Sequence, residues 1–247
     1  MSTLRVGVVG EGSPTEAVER AGAKPVVGVT KAVDLVVAVG DAALTDLATR
    51  GVDVPVLAVD ASRGVRSVRR DAVESALERV LDGEHATQRH PVLNASAGEV
   101  RARALFDVLL VAAEPARISE YAVRCTGEPV SRFRADGVVA STPAGSVGYN
   151  SAADGPVVAP GTDVLAVVPI APFATEITDW VVPSNGLSFS VERDETPVEL
   201  LADGGRVATV DADTPVTISS TDSVETVVVP ESKSFYALDA HEPTYES

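Results

Sequence analysis

Short apolar runs alternate with helical segments along the first third of the chain. The apolar runs have the length and the valine content of buried strands, and they occupy residues 4–9, 25–29, 35–39 and 54–59. Helices are predicted between and after them, over residues 14–21, 42–50 and 71–82. Strands that alternate with helices are typical of a parallel α/β sheet, so we predict such a sheet here.

Residues 13–16 carry the start signal of the first predicted helix. Ser13 would be the N-cap, Pro14 is favoured at the first helical position, and Glu16 completes a capping box. Gly22 predicts the end of this helix, because glycine accepts the left-handed conformation that closes many helices.

Beyond about residue 88 the pattern changes to short β-branched runs separated by Gly, Pro and Asp. Eight runs are predicted as strands, over residues 108–112, 120–124, 138–140, 164–169, 187–191, 198–201, 216–219 and 224–229. This spacing is typical of a mainly antiparallel β domain. We therefore predict a Rossmann-like α/β domain over residues 1–87 and a β-rich domain over residues 88–247. The last strands, at about residues 224–239, could instead return to the first domain.

The chain of 247 residues has 36 acidic against 20 basic residues, which gives a formal net charge of −16. This charge argues against sequence-independent binding of nucleic acid, which depends on basic side chains. The apolar runs are too short for a membrane-spanning helix, and the N-terminus lacks the long apolar region of a secretory leader. A single cysteine, Cys125, excludes an intrachain disulfide. We expect a cytoplasmic protein that does not contact a membrane.

The surface is poor in lysine as well as acidic. Only three of the 20 basic residues are lysines, and the apolar residues are mostly valine and alanine. Such a surface suits a cytoplasm of very high salt, where screening weakens the self-repulsion of the charges. We therefore expect a halophilic protein. The alternative is an ordinary acidic protein from a GC-rich genome.

Histidine and cysteine give no sign of a metal site. The three histidines, His85, His90 and His241, are scattered and form no recognisable zinc-binding spacing. We predict surface positions for them and assign no metal site to histidine or cysteine. Cys125 lies in a strand-like segment and is expected to be a small apolar core residue.

The first candidate site follows the third apolar run. Gly40 and Asp41 end this predicted strand, and a predicted helix comes next. In open parallel sheets ligands bind at the carboxyl ends of strands, and a helix N-terminus there favours phosphate. Asp41 is therefore a candidate general base or metal ligand. The alternative is a helix N-cap, because aspartate is one of the preferred residues there.

The second candidate site is a segment rich in Ser, Thr, Gly and Pro. Residues 134–156 read Arg-Ala-Asp-Gly-Val-Val-Ala-Ser-Thr-Pro-Ala-Gly-Ser-Val-Gly-Tyr-Asn-Ser-Ala-Ala-Asp-Gly-Pro. Hydroxyl groups, glycine amides and an aromatic face are what a polar nucleotide needs. The alternative, on composition alone, is an ordinary long surface loop.

This second segment resembles the signature of the NAD kinase family. The family pattern Asp-Gly-x-x-x-Ser-Thr-Pro-x-Gly-Ser-x-x-Tyr-x-x-x-Ala-x-Gly-Pro is matched at every named position from Asp136 to Pro156. Weaker similarity extends over most of the chain, at residues 55–60, 104–107 and 168–172 and at the late Asp203-Gly204. The resemblance implies an α/β phosphate-donor domain followed by a β-sandwich NAD-binding domain.

The resemblance also implies an activity and its partners. Family members transfer a phosphoryl group from ATP, or in some cases polyphosphate, to the adenosine ribose 2′-hydroxyl of NAD, which gives NADP. They use a divalent metal, usually Mg²⁺, and form homo-oligomers with the NAD site near a subunit interface. NAD(H) and NADP(H) are therefore the expected ligands, and a dimer or tetramer is the expected assembly.

Residue roles follow from the same resemblance. Asp41 aligns with the proposed general base of the Gly-Gly-Asp-Gly-Thr loop, and Gly40 and Ala42 belong to that phosphate-donor loop. Arg134 is also a candidate source of local positive potential for an anionic ligand. The NAD site is predicted to comprise Phe106, Asp107, Arg134, Asp136, Ser141, Thr142, Gly145, Ser146, Tyr149 and Ser151.

The donor loop departs from the family pattern. Val39 and Ala42 stand where the family has glycine, and Ala43 replaces threonine. Val39 would place a branched side chain where phosphate passes. Alanine at position 42 would tolerate a positive φ poorly, at a cost of about 1–2 kcal/mol. We therefore describe this loop as degenerate.

The NAD side departs less. Phe106 stands where the family has asparagine, Phe173 where it has histidine, and Ser151 lies one position before the family's second serine. Two hypotheses remain, an active NAD kinase with an atypical donor loop and a non-catalytic member that binds NAD(H) or NADP(H). An altered acceptor or donor is a third possibility, because Phe106 changes what the pocket recognises.

Overall fold

The computed structural model describes residues 3–30, 32–61, 64–114, 117–174, 176–212 and 214–236. His241 and the end of the predicted segment 224–239 lie outside the described residues. Within the part of the chain that is described, no helix is both long and apolar enough to cross a membrane.

The first part of the chain is a parallel α/β sheet with three helices. Its elements are β1 (Arg5–Val9), α1 (Thr15–Arg20), β2 (Lys24–Val27), β3 (Leu35–Val39), α2 (Asp41–Arg50), β4 (Val56–Val59) and α3 (Val73–Leu81). The strands lie in the order β2-β1-β3-β4, and all the pairs are parallel. The central strands β3 and β4 are buried along their whole length, as their continuous apolar runs predict. The α/β prediction is confirmed.

Two local predictions for this part are wrong. The sequence predicts a buried strand at residues 25–29, but β2 is the edge strand of the sheet and Val27 is 95% exposed. The capping box at Ser13 does not form, because the Ser13 hydroxyl donates to the carbonyl oxygen of Gly10 at 2.7 Å instead. Helix α1 therefore begins at Thr15 without a side-chain cap.

The described residues from Ala86 onward are almost entirely β. Its elements are β5 (Ala86–Ala97), β6 (Val100–Ala104), β7 (Asp107–Ala112), β8 (Ser119–Cys125), β9 (Glu128–Ala135), β10 (Gly137–Ser141), α4 (Tyr149–Ala152), β11 (Val164–Ile170), β12 (Trp180–Pro183), β13 (Leu187–Arg193), β14 (Val198–Ala202), β15 (Gly205–Val210) and β16 (Val216–Val228). These strands form a sandwich whose core includes Tyr121, Phe189, Leu110 and Leu200. The β-sandwich prediction is confirmed.

The strands belong to two sheets. The smaller one has the order β12-β11-β10-β7-β14-β15, and the larger one runs β2-β1-β3-β4-β16-β13-β8-β9, with β5 beside β16 and β6 beside β5. Strand β16 links the two parts, since its start pairs with β13 and Thr226 pairs in parallel with Val56 of β4. The larger sheet therefore contains strands from both predicted domains, and strand β5 itself runs through residues 87 and 88. The division of the chain into two domains at this point stays a prediction.

Candidate functional site

A cavity of about 390 Å³ lies where the N-terminus of α2 faces the start of β7 and the turn after β10. It is lined by Asp41, Ala42, Thr45, Phe106, Asp107, Ala144, Gly145, Val147, Gly148 and Asp203. The first three residues come from the α/β part and the others from the β sandwich. The cavity therefore lies between the two parts of the chain, and its volume suits a small-molecule ligand, for which about 300–1,000 Å³ is usual.

Gly40 makes the turn from β3 into α2. Its φ of 80° lies in the left-handed region that favours glycine, and α2 begins at the next residue without a side-chain cap at Gly40. Asp41 is the first residue of the helix and lines the cavity. The amide groups of the first turn leave positive potential at this end of α2.

The substitutions in the donor loop do not obstruct the cavity. Ala42 lies inside α2 and is not among the described residues of positive φ, so alanine causes no strain there. Val39 is 7% exposed and packs in the core with Val6 and Leu57. Ala43 is likewise buried in a hydrophobic cluster. The expected obstruction by Val39 and the expected strain at Ala42 are therefore both wrong in this geometry.

Asp107 is the first residue of β7 and is 7% exposed. Burial raises the pKa of its carboxyl to about 7, and the nearby charge of Asp203 contributes in the same direction. Ser141 pairs with Asp107 across the two strands, and its fully buried hydroxyl has no hydrogen-bond partner among the described residues. The carboxyl group of Asp107, which lines the cavity, is therefore partly protonated near neutral pH.

Asp203 is a cavity residue for which the sequence predicts no role in the site. Its carboxylate accepts hydrogen bonds from the amides of Leu105, Phe106 and Asp107 at 2.8, 2.7 and 3.2 Å. Burial raises the pKa of Asp203, the three amides oppose that change, and the charge of Asp41 adds to it. The late Asp-Gly similarity was the only signal for this residue.

Three residues of the signature build the wall of the cavity. The Thr142 hydroxyl donates to the carbonyl of Leu105 at 2.8 Å and accepts the amide of Gly145 at 3.1 Å. The Ser146 hydroxyl donates to the carbonyl of Pro143 and accepts the Val158 amide. Both side chains are fully buried, so their hydroxyls hold the turn after β10.

Other predicted NAD residues lie away from the cavity within one chain. Asp136 precedes β10 and Ser141 ends it, so about 16 Å of strand separates them. Arg134 forms an ion pair with Glu195 at 3.2 Å, and its guanidinium lies 5.9 Å from the ring centre of Phe173. Tyr149 and Ser151 are exposed on α4, outside the lining of the cavity.

The cavity is acidic and offers no metal cage. Asp41, Asp107 and Asp203 line it, and its described lining contains no Lys, Arg or His. In the described ranges no group of three or more His, Cys, Asp or Glu side chains could hold a metal ion. The described residues of the cavity thus supply carboxylates, but they do not form a complete set of ligands for a metal ion.

His90 corrects the prediction of surface histidines. It is 3% exposed, and its Nε2 lies 2.9 Å from the Thr226 hydroxyl. Burial lowers its pKa to about 4, so the ring is neutral at physiological pH. It was missed because β5 carries polar residues that hide its burial. The prediction for Cys125 is confirmed, because its side chain is buried in the sandwich core.

Fold and cavity together define a two-part protein, α/β and β sandwich, with an acidic ligand cavity between the parts. The model of the ATP-NAD kinase C-terminal domain matches residues 105–230, which is about half of the chain. The chain therefore belongs to the ATP-NAD kinase family, as its signature predicts.

Curated relatives named NAD kinase agree with this assignment. The protein of Methanosarcina acetivorans is 34% identical over 160 residues, which are 63% of this chain and 58% of the relative. That of Methanosarcina mazei is 32% identical over 191 residues, which are 75% of this chain and 62% of the relative. Across the first four relatives the matched part covers 48% to 62% of their length.

Solved structures share the fold. A yeast NADH kinase complexed with NADH superposes with a TM-score of 0.79 at 16% identity, over 94% of this chain and 85% of that one. An NAD kinase from Archaeoglobus fulgidus in complex with ATP gives a TM-score of 0.75 at 23% identity, over 91% and 93% of the two chains. These likenesses establish the fold over more than nine tenths of the chain.

Proposed function

We propose that this protein is an NAD kinase, which transfers a phosphoryl group from ATP to the adenosine ribose 2′-hydroxyl of NAD and gives NADP. One observation carries the proposal. Asp41 of the donor loop and Asp107 of the NAD side line the same cavity, although they are 66 positions apart in the chain. The named relatives support the same activity. Polyphosphate is the alternative donor.

Asp41 is the proposed general base. A ribose hydroxyl is a weak nucleophile, so a carboxylate within hydrogen-bond reach can accept its proton as the phosphoryl group transfers. Asp41 lies at the N-terminus of α2, where uncapped amide groups favour a negative charge. The same amides would attract the phosphates of the donor, and positioning supplies most of the remaining catalysis in such transfers.

Asp107 is the proposed partner of ribose hydroxyls. Its buried carboxyl has a pKa of about 7, so it can donate or accept a hydrogen bond at the wall of the cavity. Phe106 adds an apolar surface beside it. Ser141 offers a buried hydroxyl nearby, while Thr142, Gly145 and Ser146 hold the turn that closes the cavity.

Mg²⁺ is proposed to arrive as part of the substrate, bound to the phosphates of ATP. Mg²⁺ keeps several water ligands and is usually held by substrate phosphates and one or two carboxylates. Neutralisation of the phosphates by the metal would also offset the acidic lining of the cavity.

The atypical donor loop is proposed to be functional. Gly40, the one position of positive φ next to Asp41, is retained, and Ala42 lies in a regular helix. Because Val39 points into the core, it leaves the path of a phosphate open. These observations and the named relatives favour the kinase over a member that only binds NAD(H) or NADP(H).

The remaining predicted NAD residues are proposed to act in a homo-oligomer, as a dimer or tetramer. Asp136 lies about 16 Å of strand from Ser141 at the other end of β10, Arg134 lies on β9, and neither lines the cavity, so both would reach NAD from a neighbouring subunit. Tyr149 and Ser151 are exposed on α4 and available for the same role. We further propose a cytoplasmic protein of a haloarchaeon, for which the net charge of −16 is the support.

A coupled assay of NADP formation tests the activity. It contains NAD, Mg²⁺ and molar KCl, with ATP in one arm and polyphosphate in the other, and an Asp41→Asn variant as control. We expect NADP from the wild type with ATP and far less from the variant. NAD binding measured by calorimetry together with no NADP above the control would overturn the kinase and leave a binding protein. Failure to bind NAD or NADP would reject the family ligand.

A further inference from the structure

Asp203 occupies the turn between β14 and β15. Its φ is 47° and that of Gly204 is 76°, and Ala202 pairs with Gly205 across the hairpin. Two successive residues of positive φ are what a two-residue type I′ hairpin requires, and Asp-Gly is a favoured sequence for it. The backbone of the hairpin therefore fixes the point from which the Asp203 side chain extends.

That side chain binds the turn between β6 and β7. One carboxylate oxygen, Oδ1, accepts the amides of Phe106 and Asp107, and the other accepts the amide of Leu105. The amide of Asp203 in turn donates to the carbonyl oxygen of Asp107 at 3.0 Å. Four hydrogen bonds thus join two segments that are almost 100 residues apart in the chain, and both segments line the cavity.

We propose that Asp203 is a positioning residue of the active site, which holds residues 105–107 so that Phe106 and Asp107 face the bound ligand. The proposal rests on the proposed function, because the ligand is the NAD that this function requires. Asp203 is not proposed as a catalytic residue. Both of its carboxylate oxygens are occupied by backbone amides, so its effect reaches the ligand through the turn.

The charge of Asp203 also affects the ionisation of Asp107. The acidic groups around Asp107 are Asp203 on the β14–β15 turn and Asp41 at the start of α2, and no basic side chain lines the cavity in the described part of the chain. Coulombic repulsion by Asp203 adds to burial in raising the pKa of Asp107. Removal of this charge should therefore move the ionisation of Asp107 to lower pH.

Asp203→Asn in the full chain is the test, because asparagine suits the hairpin but lacks the charge and one acceptor oxygen. The first measurement is hydrogen exchange of the Leu105, Phe106 and Asp107 amides. We expect exchange to accelerate about tenfold or more, since hydrogen bonds to a charged acceptor are lost. The second is the pH dependence of kcat/KM for NAD. We expect its acidic limb to move to lower pH, and KM to rise more than kcat falls.

Asp211→Asn is the matched control, because it removes one carboxylate from an exposed position just after β15. Identical amide exchange and identical pH profiles in Asp203→Asn and Asp211→Asn would overturn the proposal. If the wild type makes no NADP, the proposed function fails, whereas the amide exchange still decides whether Asp203 holds the turn.

Discussion

The amide of Asp107 donates a hydrogen bond to the Asp203 carboxylate at 3.2 Å, and the amide of Asp203 returns one to the Asp107 carbonyl at 3.0 Å. This reciprocal pair keeps two carboxyl groups on one wall of the cavity. Charges so close cannot be independent, and burial strengthens their effect on each other. The site therefore combines a rigid backbone with a carboxyl group that titrates near neutral pH.

Asp107→Asn should change how stability depends on pH. The ordinary pKa of the carboxyl is 3.8 and the folded value is about 7, so between these values the native state holds a proton that the unfolded state has lost. Asp107 thus contributes stability below about pH 4 that is lost as the pH rises towards 7, at about 1.4 kcal/mol per unit. Urea unfolding at pH 5, 6 and 7 measures this.

In Asp107→Asn this loss is absent, so the free energy of unfolding of the variant relative to wild type should rise with pH. Asp211→Asn, which changes an exposed carboxylate, controls for net charge. A difference between Asp107→Asn and wild type that stays constant from pH 5 to 7 would show that Asp107 titrates at its ordinary pKa.

His90 should make the free energy of unfolding depend on pH in the direction opposite to that of Asp107. Its pKa falls from 6.5 in the unfolded chain to about 4 in the folded protein, so below pH 6.5 the unfolded state binds a proton that the native state refuses. His90 therefore contributes full stability above about pH 6.5, and this is lost as the pH falls towards 4. Between pH 4 and 6.5 the opposite effects of Asp107 and His90 on the free energy of unfolding nearly cancel.

His90→Gln removes one side of this balance. Relative to wild type, the free energy of unfolding of the variant should fall as pH rises from 4 to 6.5, by about 3 kcal/mol in total. The exposed His85 supplies the control variant His85→Gln, for which no such trend is expected. Equal trends in the two variants would contradict a buried neutral His90.

The sequence predicts those parts of the fold in which burial and hydrophobicity coincide. Strands β3 and β4 are continuous apolar runs, and helix α2 ends at Gly51, whose φ is 66°. Strands β9 and β15 are edges of their sheets and carry exposed polar residues, so no apolar run marks them. Their pairing depends on a neighbouring strand, which local sequence does not contain.

The sequence likewise predicts one part of the candidate site and misses another. The resemblance picks out Asp41 and Asp107, and the fold brings both to one cavity. The role of Asp203 depends on a hairpin that places its carboxylate against amides almost 100 residues earlier, and this long-range geometry has no local pattern. Thr142 and Ser146 match the signature as hydroxyls, yet their hydrogen bonds are internal.

Asp41→Asn should remove most of the activity while NAD still binds. Loss of a general base typically slows such a step about 10²- to 10⁴-fold, and asparagine keeps the size of the side chain. Asp46→Asn on the same helix is the control, because Asp46 pairs with Arg50 at 3.0 Å on the exposed side of α2. Steady-state kinetics with ATP and calorimetry with NAD separate the two effects. Similar turnover in both variants would remove Asp41 from the mechanism.

Gly145→Ala should destabilise the wall of the cavity. A Cβ atom at this position would lie 2.0 Å from the carbonyl oxygen of Phe106, so the turn after β10 must move away from residues 105–107. Overpacking against backbone cannot relax by a rotamer change, and we expect a loss of about 3 kcal/mol in the free energy of unfolding. Gly205→Ala is the control, because its Cβ would lie 3.3 Å from the nearest atom, the Ala202 carbonyl oxygen. If the urea midpoints of the two variants agree within error, the turn after β10 and the Phe106 segment do not pack this closely.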